Sequence, residues 1–207
     1  MRDTDQHHAG GRYAEGTALV VVDVQNDFAH PDGSLYVRGA EHAVARVAEE
    51  VATARDAGVP VIHTADWHPP RTPHFDVDGG TWPVHCVADT WGAALHEAVP
   101  VSGPVVRKGV DGGDGYSGFS VRDPASGEEH ATELERLLRE GDVHHVVVVG
   151  IATDVCVAAT VEDARRLGFE VTVLADATAA VDLAEGDGDR ALDRMRDAGA
   201  TVEGVLR

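Results

Sequence analysis

Several apolar runs in this chain are continuous where a strand with one wet face would alternate. Residues 18–22 read Ala-Leu-Val-Val-Val, residues 59–62 Val-Pro-Val-Ile, and residues 146–149 Val-Val-Val-Val. An unbroken β-branched run belongs to a strand buried on both faces, as in a parallel sheet covered by helices. The segments between such runs carry helical spacing: 40–57 up to Gly58, 132–140 up to Gly141, 154–167, and 188–198. A short helix is expected at 91–98, and further strands at 104–108, 170–174 and 201–205. Alternating strands and helices with right-handed crossovers give an α/β domain with helices on both faces of the sheet.

In such sheets chemistry collects beyond the carboxyl ends of the strands. Three runs here end in reactive groups. Residues 20–22 lead into Asp23, residues 105–107 into Lys108, and residues 146–149 into the turn that carries Cys156. Lys108 is the only lysine beside sixteen arginines. A carboxylate, an ammonium and a thiol brought to one sheet edge make a nucleophile with its base and its charge partner. A thiol at the start of a helix is expected to have a lowered pKa, from the dipole and the free N–H groups, which also serve as an oxyanion hole.

The formal charge of −19 excludes nucleic acid as a partner, because binding phosphates requires clustered cations. No apolar run reaches the roughly 20 residues that span a bilayer. Two cysteines make no disulfide framework, so a reduced cytosolic setting is expected. Residues 1–16 are polar and read as a loosely ordered extension, with His7 and His8 solvated, ahead of a single domain at 17–207. A homo-oligomer is compatible with all of this.

The long segment 65–89 is rich in proline, glycine and tryptophan, and long loops in compact domains are usually functional. It holds Asp66, His68, His74 and His85 within twenty residues. One carboxylate with three imidazoles suits one divalent ion, whether zinc, iron or manganese. His63, His144 and His145, inside or beside strands, read as structural. Phe28, in the polar stretch Val24-Gln25-Asn26-Asp27-Phe28, and Trp82 offer apolar walls for a flat ring.

Taken in order, Asp-Val-Gln-Asn-Asp-Phe (23–28), Asp-Trp-His-Pro (66–69), Trp-Pro-Val-His-Cys (82–86), Lys-Gly (108–109), Tyr-Ser-Gly-Phe (116–119) and Gly-Ile-Ala-Thr-Asp-Val-Cys-Val (150–157) resemble the nicotinamidase/pyrazinamidase branch of the isochorismatase-like cysteine hydrolases. The resemblance implies a single-domain three-layer sandwich with a six-stranded, mainly parallel sheet. It implies deamidation of a small aromatic amide, nicotinamide, to nicotinate and ammonia through a thioester, and hence a place in NAD salvage. On matching positions Asp23 is the base, Cys156 the nucleophile and Lys108 the stabilising cation. Asp66, His68, His74 and His85 bind the metal, and Phe28, Trp82, Tyr116 and Ile151 line the ring pocket. A cis peptide precedes Ala152, whose N–H joins that of Cys156 in the oxyanion hole. The glycine- and aspartate-rich stretch 109–115 departs from the family pattern.

Three alternatives stay open on the sequence. They are action on another small amide within the same superfamily, hydrolysis by metal-activated water with Cys156 structural, and metal binding without catalysis.

Overall fold

The structure, a computed structural model, describes residues 11–206. Its main sheet has six strands: β1 (Thr17–Val22), β2 (Val61–Asp66), β3 (Val105–Lys108), β6 (His145–Ile151), β7 (Glu170–Ala179) and β8 (Thr201–Glu203). Their order across the sheet is β3-β2-β1-β6-β7-β8, and all five pairings are parallel. Strand order reverses beside β1, so the crevice between the ends of β1 and β6 is the topological switch point. β1 is buried at every residue. Its alternate side chains feed the two cores, Leu19 and Val21 on one face and Ala18, Val20 and Val22 on the other.

A four-residue helix α1 (Asn26–Ala29) follows β1, and the long helix α2 (Ala40–Asp56) covers the first face. α2 buries Ala43, Val44, Val47, Val51 and Ala54, a stripe at helical spacing worth about 1.5–3 kcal/mol per valine. The other face is covered by α3 (Leu134–Glu140), α4 (Ala158–Arg166) and α5 (Asp187–Asp197), which contribute Leu134, Leu138, Val161 and Met195. The three-layer α/β arrangement is therefore as expected.

Four local details differ from the sequence reading. Residues 91–98 form turns rather than a helix, because their backbone carbonyls are taken elsewhere. Asn26 N–H donates to Ala94 O at 2.9 Å, and the side-chain amide of Asn26 donates to Trp91 O at 2.8 Å. A two-stranded antiparallel ribbon, β4 (Ser120–Arg122) with β5 (Glu129–Ala131), was not foreseen. β7 runs five residues beyond the expected 170–174.

The fourth concerns the expected extension 1–16. Residues 1–10, with His7 and His8, lie outside the described residues, whereas Arg12 and Tyr13 are packed. Tyr13 is buried and its hydroxyl donates to Glu50 at 2.8 Å, while Arg12 pairs with Glu50 at 2.9 Å and Glu203 at 2.7 Å. These contacts satisfy a carboxylate buried on α2. Among the described residues no helix is long and apolar enough to cross a membrane.

Candidate active site

The register of β2 against β3 sets Asp66 directly opposite Lys108, so two charged side chains meet at the carboxyl end of the sheet. Lys108 Nζ is bonded to Asp66 Oδ1 and lies 2.8 Å from Asp23 Oδ2. Asp23 ends β1 with a left-handed backbone (φ 47°) and is fully buried. Thr64 of β2 donates its hydroxyl to Asp23 Oδ1 at 2.6 Å. Gln25 holds Asp66 from below: its amide oxygen accepts the Asp66 N–H at 2.8 Å and its amide nitrogen donates to Asp66 O at 2.7 Å.

After β6 the chain passes through a cis Ile151–Ala152 bond into a wide helical turn, Thr153–Val157, that leads into α4. Gly150 makes this close approach feasible, since a Cβ there would sit 2.1 Å from Val22 O. Cys156 belongs to that turn, and its Sγ is 3.8 Å from Lys108 Nζ. Asp23, Asp66 and Cys156 present their ligand atoms within 4.8 Å of one another. Lys108 already supplies the cation this group needs.

Burial dominates the electrostatics here. It pushes the Cys156 thiol well above its ordinary range; Lys108 opposes this, while Asp23 and Asp66 add to it. The lowered thiol pKa expected from the helix terminus is thus overturned, because desolvation and two carboxylates outweigh a terminal dipole. Burial also raises the Asp23 carboxyl, against the pull of Lys108. Burial alone would lower Lys108, yet Asp23 and Asp66 hold its ammonium well above normal.

Next to this trio stand the three imidazoles. His68, His74 and His85 are all buried, with ligand nitrogens within 4.8 Å of one another. Asp66 Oδ2 reaches toward them, 3.9 Å from His68 Nε2 and 4.0 Å from His85 Nε2, so one carboxylate borders both clusters. His68 has neither ring nitrogen bonded to protein. A buried imidazole without partners is costly unless a lone pair is used. Gly109 packs against it so tightly that a Cβ would lie 2.6 Å from His68 Nδ1. His85 Nδ1 donates to Pro83 O at 2.6 Å, which leaves Nε2 as its free lone pair. This donor set fits a divalent cation. His63 and His145, by contrast, are engaged in structural bonds with Ser102 and with Thr172.

A pocket opens over both clusters. Phe28, Trp82, Tyr116 and Ile151 line it together with Ala152 and Cys156, and Asp66, His74 and His85 face it. Leu35, Val37, Val155 and Val181 also line it; as ordinary apolar residues they carry no sequence signal. Trp82 donates its indole N–H to the Tyr116 hydroxyl at 3.0 Å, closing one wall. Both cysteines are buried and free of disulfide.

The isochorismatase domain, as a family, matches residues 17–205.

The chain belongs to the isochorismatase family.

Within it, the nicotinamidase/pyrazinamidase of Mycobacterium tuberculosis is 41% identical over 169 residues, covering 79% of this chain and 87% of that protein. The pyrazinamidase of Pyrococcus horikoshii, solved in complex with zinc, superposes with a TM-score of 0.81 at 34% identity, over 91% of this chain and 98% of that one. PnC1 from L. infantum, solved in complex with nicotinate, gives 0.81 at 35% identity over 90% and 91%. The isochorismatase-family sheet expected from the motifs is the one observed.

Proposed function

We propose that this isochorismatase-family chain is a metal-dependent cysteine amidohydrolase that deamidates nicotinamide, and pyrazinamide with it, to the acid and ammonia. The observation that carries the reading is the contiguity of two buried clusters under one pocket walled by Phe28, Trp82 and Tyr116: Asp23–Lys108–Cys156 and His68–His74–His85, joined by Asp66. The relatives act on, or were solved with, compounds of this chemistry.

In the proposed reaction Asp23 takes the proton from Cys156 Sγ. The raised thiol pKa means that the nucleophile is released only as the base accepts its proton, and the raised Asp23 pKa makes that carboxylate a stronger base than a solvated one. Sγ attacks the carboxamide carbon, and the N–H groups of Ala152 and Cys156 hold the oxyanion. Asp23 returns the proton to the departing nitrogen, the C–N bond breaks, and ammonia leaves a thioester. Water, deprotonated by Asp23, cleaves the thioester to carboxylic acid and thiol. Lys108 keeps its charge throughout and holds Asp23 in place.

Phe28, Trp82, Tyr116 and Ile151 sandwich the ring and exclude water. Asp66, His68, His74 and His85 would hold the divalent ion. When bound, it supplies an electrophilic contact for a ring nitrogen, which orients an aromatic amide with its carbonyl toward Cys156. That preference separates nicotinamide from the non-aromatic amides open to other members of the superfamily.

The test is ammonia release from nicotinamide by purified protein, with bound metal quantified on the same sample. Turnover with about one metal per chain supports the reading. Metal without turnover of nicotinamide, but with turnover of another amide, would replace it with the superfamily alternative.

A further inference from the structure

The far nitrogens of the imidazoles are held differently. His85 Nδ1 donates to a backbone carbonyl, and a carbonyl can only accept. His74 Nδ1 instead meets a side chain, Asp114 Oδ1, at 2.7 Å. Asp114 comes from the glycine- and aspartate-rich stretch 109–115, which the family resemblance left without a role.

That stretch is tied down. Asp114 exchanges both backbone hydrogen bonds with Arg122 of β4, forming an antiparallel bridge. One further contact joins it to the loop that carries the imidazoles, Thr72 Oγ1 donating to Gly112 O at 3.3 Å, and the next residue, Tyr116, accepts from Trp82 of the same loop. The unforeseen β4–β5 ribbon is therefore the platform that delivers the Asp114 carboxylate to His74.

We propose that Asp114 is a positioning residue. It accepts the Nδ1 proton of His74, fixes the ring in the tautomer whose Nε2 lone pair is free, and so sets how tightly the three-imidazole cluster holds a divalent cation. Carboxylates that orient a ligating histidine in this way are worth about 10–100-fold in metal affinity. The inference rests on the metal reading of the previous section, and it needs no activity measurement to be tested.

The probe is zinc alone, titrated into metal-free full-length protein against a chromophoric chelator, with the rate of zinc loss to excess EDTA as a second readout. Asp114→Ala should weaken zinc binding by about 10-fold or more and speed its loss. Asp114→Asn keeps the shape and an accepting oxygen, and should recover part of that loss. Asp111→Asn removes the same charge from the same stretch at an exposed position, and should bind like wild type. The melting temperature of the metal-free Asp114 variants should match wild type, which a merely structural staple would not allow.

Asp114→Ala and Asp114→Asn binding zinc as tightly as Asp111→Asn would overturn the proposal while leaving the metal reading intact. Should Asp114→Ala not fold, Asp114→Asn against Asp111→Asn decides the matter alone. Wild type failing to bind zinc, or His68→Ala binding it equally well, would overturn the metal reading, and this proposal with it.

Discussion

Lys108 Nζ lies 2.8 Å from Asp23 Oδ2, and neither side chain is more than 1% exposed. A buried ion pair of this kind adds little net stability over an apolar pair, but losing one partner strands the other charge. Here two carboxylates, Asp23 and Asp66, depend on one ammonium.

Lys108→Met should therefore cost about 3–5 kcal/mol of stability and more than about a hundredfold in turnover. Urea unfolding monitored by circular dichroism, beside an ammonia assay, checks both. A variant as stable and active as wild type would remove Lys108 from the account.

Stability should fall in acid partly through His63, whose pKa burial holds at about 4. With the folded value below the unfolded one, the neutral ring favours the native state above about pH 6.5, and this is lost as pH falls toward 4. The full contribution is at most about 3 kcal/mol. His63→Gln should flatten the decline in denaturation midpoint between pH 7 and 4.5. An unchanged slope would mean that other groups govern it.

Tyr116→Phe removes the acceptor for the Trp82 N–H while keeping the ring. The lost bond is worth about 0.5–1.5 kcal/mol, so KM should rise roughly 2- to 10-fold with kcat nearly unchanged. Steady-state kinetics on nicotinamide separates the two. A kcat loss as large as the KM gain would place Tyr116 in the chemistry and not in the wall.

Much of this arrangement was legible in the chain because parallel strands leave an unbroken apolar record, and a charged residue at the end of such a record is conspicuous. Asp23, Lys108 and the turn to Cys156 stood out for that reason, as did the imidazoles of a proline-stiffened loop. What was hidden depends on partners distant in sequence. Residues 91–98 had helical spacing, but Gln25 and Asn26 claim their carbonyls from 65 or more residues away. The β4–β5 ribbon is short, polar and largely exposed, so it has no hydrophobic period to read. Asp114 looked like loop acidity until the ribbon set it against His74. The thiol pKa was misjudged because burial beside Asp23 and Asp66 is invisible to a one-dimensional reading.

The most direct test of the central claim is turnover of nicotinamide by Cys156→Ala, with its metal content measured alongside wild type. The account predicts no ammonia release and full metal occupancy, since the sulfur forms the thioester and takes no part in holding the ion. Measurable turnover by the metal-loaded variant would contradict it and pass the chemistry to a metal-activated water.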